Sequence, residues 1–374
     1  MSKSIKVIGY FVFLCFFFQT SLWGQTNSID NKEIISGEVW KDMDGNVINA
    51  HGGGILFNNG RYYWFGEHRP SSGFTTRVGV TCYSSTDLRD WKYEGVALAV
   101  SSEAGNDIEK GCIMERPKVI YNQKTGKFVM WFHLELKGRG YGPSRAGVAI
   151  SDTPVGPYRF VRSGRVNPGC YPVNMTQEKR ELTWNPKEYK WWTPEWRDAV
   201  DKGMFAKRDI EGGQMSRDMT LFRDDDGKAY HIYSSEDNLT LHIAELSDDY
   251  LSHTGKYIRI FPGGHNEAPA IFKKDGIYWM ITSGCTGWDP NEARLMKASS
   301  ILGEWSQLPN PCVGKDAKIT FGGQSTYILP LKDGGYMFMA DVWRPKSLSD
   351  SRYIWLPVRF SAKGIPFIEW VSKW

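Results

Sequence analysis

Five segments of this 374-residue chain share one layout: a polar residue, an apolar stretch, a tight-turn glycine nine to eleven positions on, then an aromatic-rich strand. They begin at His51 (HGGGILFNNGRYYWFGE), Glu115 (ERPKVIYNQKTGKFVMWF), Asp218 (DMTLFRDDDGKAYHIYSS), Glu267 (EAPAIFKKDGIYWMITS) and Gln324 (QSTYILPLKDGGYMFMAD). A strand–turn–strand unit recurring at roughly fifty to sixty residues, with one interval of about a hundred, points to small sheets arranged radially. The expected fold is all-β, a five-bladed β-propeller over residues 25–374. The polar residue of each unit should open the innermost strand, so that all five converge on one axial cavity.

The segments YSSTDLRDW, AISDTPVGPY, AELSDDYL and KASSILGEW look like the closures of outer strands: a small or β-branched residue, a Ser/Asp turn and an aromatic or leucine plug. The long interval holds an insertion of about 170–215, before the third inner strand and rich in Trp and charge (ELTWNPKEYKWWTPEWRDAVDKG). Within it Glu195–Lys202 reads as a short helix. The insertion should project beside the cavity mouth, either as a lid or sugar platform built on Trp191, Trp192 or Trp196, or as an excursion packed on its own blade. The stretch ahead of the first unit is expected to pair with the C-terminal segment in one sheet and so close the ring.

Lys3 and Lys6 followed by the apolar run Val7–Phe18 and then SLWGQT have the form of a signal peptide over residues 1–24. The run is short for a membrane span. The expectation is a periplasmic or secreted protein with no membrane insertion after cleavage. Without Cys15 five cysteines remain, with no metal-type spacing; disulfides and buried thiols both stay open. Sixteen Trp and eighteen Tyr suit stacking on sugars as well as packing between blades, and a formal charge of +4 with no dense basic run argues against nucleic acid. Oligomeric state leaves no trace in the sequence.

Three of the five convergent residues are carboxylates. Glu267, flanked by Ala268 and Pro269, is placed where desolvation raises a carboxyl pKa, as a general acid near neutral pH requires. Asp218 would stay ionised and orient that acid, or pair with its neighbour Arg217. Glu115 would bind sugar hydroxyls, act as a base, or pair with Arg116. Gln324 can hold a hydroxyl or a water, and His51 reads as a hydrogen-bonded scaffold residue beside three glycines that permit close approach. The GGG run lacks the strand–helix setting of a phosphate loop, and DDDG at 224–227 is a hairpin turn rather than a calcium loop.

These segments resemble glycoside hydrolase family 43, five-bladed propellers that generally hydrolyse with inversion. DMTLFRDDDGKAY is similar to the family's third-blade motif and EAPAIFKKDGIYWMITSG to its fourth. The resemblance implies Glu267 as general acid and Asp218 as the modulator of its pKa. Most of the family places an aspartate base on the first blade, where this chain has His51 and three glycines. That departure, with ERPKVIYN, SRDMTLF, HNEAP and GGQSTYILP, resembles the exo-β-1,3-galactanase branch. By that resemblance Gln324 takes the base's place through an imidic-acid tautomer, Glu115 binds the terminal galactose or serves as base, and Glu67, His51, Arg116, Asn238, Thr286 and Trp288 are sugar contacts. The implied partner is a polysaccharide or oligosaccharide of arabinogalactan type. The family's axial metal motif with histidine is not evident, so no catalytic metal and no cofactor is expected, with structural calcium left open. A β-galactofuranosidase or α-L-arabinofuranosidase on the same scaffold, and a glycan-binding propeller without turnover, are the competing expectations.

Overall fold

A computed structural model of the chain describes Met1 and residues 33–71 and 77–373. The signal-peptide segment lies outside the described residues. From residue 33 onward the chain forms five antiparallel sheets, each built from strands consecutive in sequence. The first blade is β1 (His51–Asn58), β2 (Arg61–Glu67), β3 (Gly79–Ser85) and β4 (Lys92–Ala99). The second is β5 (Ile113–Asn122), β6 (Lys127–Glu135), β7 (Arg145–Ser151) and β8 (Arg159–Gly164). The third is β9 (Met219–Arg223), β10 (Ala229–Ser235), β11 (Thr240–Leu246) and β12 (His253–Ile260). The fourth is β13 (Glu267–Lys274), β14 (Ile277–Ser283), β15 (Arg294–Ala298) and β16 (Ser306–Leu308). The fifth combines β17 (Cys312–Val313), β18 (Gln324–Pro330), β19 (Tyr336–Val342), β20 (Arg352–Phe360) and β21 (Pro366–Glu369), with β17 joined to β21 in parallel. This is the five-bladed β-propeller expected from the repeat.

The apolar runs follow from the architecture. A second strand such as β14, IYWMITS, is buried along nearly its whole length because both of its faces meet a neighbouring blade, whereas β8, RFVRSG, lies outermost and buries none of its residues. Five apolar clusters fill the gaps between blades. The one between the first and fifth blades holds Trp64, Trp91, Tyr353 and Trp355, with Trp64 and Trp91 ring centroids 5.3 Å apart. Much of the aromatic excess is consumed there. All five hairpin glycines, 60, 126, 227, 276 and 334, have positive φ, the conformation these turns require.

Among the described residues the N-terminal stretch does meet the C-terminal segment, through an isolated antiparallel bridge of Ile35 to Lys373, and Ser36 Oγ exchanges hydrogen bonds with the backbone of Trp355 in the fifth blade. The five cysteines among the described residues are free thiols. No helix among the described residues is long and apolar enough to cross a membrane.

Between β8 and β9 the insertion folds into α1 (Gln177–Glu181), α2 (Pro194–Lys202) and α3 (Met204–Arg208). Thr193 caps α2, accepting from the Trp196 amide, with Pro194 in the first turn and Gly203 ending the helix at φ 106°. Trp196, Val200 and Phe205 form a small core with Leu239, so the insertion is packed on the third blade.

Candidate active site

Four of the five inner strands break their pairing register at the end where the polar residues stand. The irregularities fall between His51 and Gly54, Glu115 and Lys118, Glu267 and Ala270, and Ser325 and Tyr327. A bulge bends a strand and re-aims its side chains. In the first three, the residue after the polar one is left-handed: Gly52 at φ 59°, Arg116 at 55° and Ala268 at 53°. At Gly52 a Cβ would stand 2.5 Å from Glu67 Oε1, so only glycine fits. For Arg116 and Ala268 that conformation costs roughly 1–2 kcal/mol each. Contacts across blades offset it. The Ala268 amide donates to Asp218 Oδ2 at 3.1 Å and Ser325 Oγ donates to the Ala268 carbonyl at 2.6 Å.

The bulges bring Glu115, Arg116, Glu267 and Gln324, with Asp218 just ahead of the unbulged β9, around a cavity of about 410 Å³, joined by Glu67, Arg69, His133, Tyr141, Arg217, Asn238, Trp288 and Trp343. The two neighbour pairings considered from sequence do not form. Arg217 turns to Ser144 Oγ and the Tyr141 carbonyl, while Arg116 reaches across the axis to Asp218 Oδ2 at 2.8 Å and Gln324 Oε1 at 2.6 Å. Glu115 pairs instead with Arg69 at 3.1 Å and His133 at 3.3 Å.

Glu267 lies on one side. Burial, with the Asp218 charge adding to it, pushes its carboxyl up to about 7. Asn238 Nδ2 donates to Glu267 Oε1 at 2.7 Å, which leaves the other oxygen to carry the proton. Asn238 is held by its turn: Glu236, Asp237 and Asn238 are all left-handed, at φ 52°, 59° and 64°. Arg259 grips the buried Glu236 at 2.5 and 2.8 Å and donates to the Val200 and Asp201 carbonyls of α2, while Arg208 of α3 pairs with Asp237 at 2.6 Å. The insertion therefore buttresses the turn that presents Asn238 to Glu267. Arg294 clamps the approach to Glu267, donating to the carbonyls of Gly264 and His265 and to Asn266 Oδ1.

The opposite side is dense in paired charge. Arg69 bridges Glu67 at 2.8 Å and Glu115, whose Oε1 also accepts from the Tyr141 hydroxyl at 3.1 Å. Burial opposes ionisation of Glu115, yet the His133 hydrogen bond and the Arg69 and Arg77 charges hold it well below the usual carboxylate range. Burial lifts Glu67 to about 7. His133 loses by burial but gains more from Glu115 and Glu135, and rises to about 9. Gln324 closes the circle: its Oε1 accepts from Arg116 and from Trp343 Nε1 at 2.9 Å, and its Nε2 donates to Ser283 Oγ at 3.0 Å. Both partners of Oε1 can only donate, so the amide orientation is set by chemistry.

Two expected contacts stand elsewhere. His51 is fully buried beneath the cavity, its ring 4.9 Å from Tyr353 in a stack and its Nδ1 3.1 Å from Asp341, so it supports the first bulge rather than facing the cavity. Thr286 Oγ1 donates to the Asp289 carbonyl and accepts from Asn291, which fixes the loop carrying Trp288. Trp196 is 0% exposed and offers no platform. Arg69, His133, Tyr141 and Trp343 were not anticipated. Two of them carry a rule: the register pairs Glu115 with His133 and Gln324 with Asp341, two residues before Trp343, so the end of each second strand returns to the rim where the first began. Among the described residues no cluster of three His, Cys, Asp or Glu side chains is placed to hold a metal ion.

Residues 186–347 match the family model for glycosyl hydrolases family 43. A solved GH43 β-1,3-galactosidase with galactodeoxynojirimycin is 77% identical, with 91% of this chain and 99% of that one covered and a TM-score of 0.90. An exo-β-1,3-galactanase from Phanerochaete chrysosporium, solved with galactose, is 34% identical over 91% of this chain and 68% of that one, with a TM-score of 0.72. A β-D-galactofuranosidase from Aspergillus niger is 31% identical over 121 residues, 32% of this chain and 35% of that protein. The chain spans less than half the length of the curated relatives it matches. At 77% identity over nearly the whole of a family 43 fold, with the bulged strands in place, the chain belongs to glycosyl hydrolase family 43.

Proposed function

We propose that the protein is an inverting, exo-acting β-1,3-galactosidase that removes terminal galactose from β-1,3-linked galactan of the arabinogalactan type. The observation that carries this reading is the acid: a carboxyl raised to about 7, one oxygen engaged by Asn238, beside a cavity whose far wall is lined with paired charges. The activities of the similar β-1,3-galactosidase and exo-β-1,3-galactanase agree with it.

In this mechanism Glu267 donates its proton to the glycosidic oxygen as the bond to the anomeric carbon breaks. Asp218 fixes Arg116 and the Ala268 amide, and its charge keeps Glu267 protonated. Glu67, Arg69, Glu115 and Tyr141 hold the hydroxyls of the terminal sugar. Gln324 meets the attacking water on the opposite face. Its Oε1 is already occupied by two donors, so Nε2 is the atom left for the water. Arg116 and Trp343 hold Oε1 as a carbonyl oxygen, so Nε2 keeps its two protons, one on Ser283 Oγ and the other free to orient the water, whose proton passes to solvent as it attacks. Export of the kind expected from residues 1–24 fits a polymeric substrate.

The test is the anomer released from linear β-1,3-galactan, followed by NMR. Galactose appearing first as the α-anomer is the expected result. The β-anomer first, or no galactose, overturns the reading. The short match to a β-D-galactofuranosidase makes a galactofuranoside the competing substrate for the same assay.

A further inference from the structure

The insertion exposes two adjacent tryptophans, Trp191 at 43% and Trp192 at 51%, on a backing that is itself aromatic. Trp191 lies 5.0 Å from buried Trp196 and 5.6 Å from Phe205; Trp192 lies 4.9 Å from Trp196. Burying two indoles of this size would have been favourable, and the fold holds them out instead. Trp192 adopts a left-handed backbone at φ 74°, a costly conformation for a bulky residue. Its ring also meets His265 at 5.0 Å, and Arg197 lies over it at 5.6 Å.

The location matters more than the exposure. His265 is two residues ahead of Glu267, is left-handed as well at φ 53°, and belongs to the loop clamped by Arg294. Its amide donates to the carbonyl of Leu239, next to Asn238. Trp192 thus stands beyond the acid and Asn238, across the cavity rim from the charged wall. A general acid protonates the oxygen of the leaving group, so the departing part of a glycan leaves past the acid. Two buried polar atoms in this sector lack a partner, Asn238 Oδ1 and His265 Nε2. Buried groups of that kind are ordinarily satisfied, and hydroxyls supply the hydrogen bonds they lack.

We propose that Trp192, with Trp191 beside it, is a stacking platform for the leaving-group side of the substrate, binding galactose rings of the β-1,3-linked chain beyond the one being cleaved. The proposal rests on the galactosidase reading above and adds to it a preference for longer chains. The apolar C–H face of galactose lies on the indole, and the orphaned Asn238 Oδ1 accepts from a ring hydroxyl.

The experiment compares kcat/KM of the wild type, Trp192→Ala and the double variant Trp191→Ala/Trp192→Ala on three substrates: an aryl β-D-galactoside, β-1,3-galactobiose and linear β-1,3-galactan. The expected result is a loss of about tenfold on the polymer for the double variant, the size of an aromatic contact, with the aryl galactoside unchanged. Trp192→Phe should recover part of it. Equal kcat/KM of all variants on the polymer overturns the platform. So does an equal loss on every substrate, which would show a structural effect through the His265 loop. Because the wild type's release of galactose from aryl galactoside and galactobiose is read in the same assay, failure of the galactosidase reading is seen separately, and it removes the platform with it.

Discussion

The same five inner strands end in two cavities, and their two ends follow different rules. At the hairpin end, Asn59–Gly60 and Asp275–Gly276 form tight turns with both residues at positive φ, and the cavity of about 630 Å³ there is lined by Leu56, Phe57, Phe222, Phe272 and Leu329 with lysines at the mouth. At the other end the strands bulge, Arg116 and Ala268, residue types without the Asn/Asp tolerance for it, take left-handed conformations, and charges are linked from blade to blade. The larger cavity has the more regular backbone and the simpler chemistry. In this fold backbone irregularity, rather than volume, marks where chemistry is placed.

That contrast can be tested from its strongest point outward. Glu267→Gln should lower kcat on galactan by about 10²–10⁴-fold, the range for removing a general acid, without lowering the unfolding midpoint. Arg116→Met should cost roughly 1–3 kcal/mol in denaturant titration, because it leaves the half-buried Asp218 carboxylate and Gln324 Oε1 without their partner, and activity should fall with it. The pH profile gives a finer measure. With Glu267 at about 7, kcat/KM should decline as pH rises through that value, and Asp218→Asn, by removing the charge that raises Glu267, should move the decline to lower pH. The sign for stability is the same: what this carboxyl contributes is fully present below its ordinary 4.5 and is lost as pH climbs through about 7, a loss that Glu267→Gln should abolish. The smallest effects separate the two ends directly. Gly52→Ala places a Cβ against Glu67 and should reduce both stability and turnover, whereas Gly60→Ala has open space and should cost only about 1 kcal/mol with full activity.

The propeller was legible because each blade repeats the same problem of burying two strands on both faces, and the repeat shows in the apolar runs around the hairpin glycines. The first member of each site pair was legible for the same reason: Glu267 and Gln324 open strands, and position in the repeat finds them. The second member was not. His133 lies inside β6 near its end, and Arg69, Tyr141 and Trp343 lie in loops beyond the ends of second strands with no shared spacing; only the antiparallel register returns them to the rim. The charge partners stayed open in the sequence because they are set across blades: Arg116 pairs with Asp218 rather than its neighbour Glu115, and Arg217 turns to Ser144 rather than Asp218. His51 was legible as a position in the repeat, but its burial depends on Asp341 and Tyr353, nearly three hundred residues away.

The bridge between Ile35 and Lys373 brings the two ends of the described ring side by side, and every blade is drawn from one unbroken stretch of chain. Topologically the molecule is close to a circle. A permutant joined across those ends and reopened in the exposed link between the first two blades, near Glu103 and Ala104, would deal out the same five units starting from a different one. The reacting groups would then follow one another along the polypeptide in a new sequence while keeping their angular places around the axis.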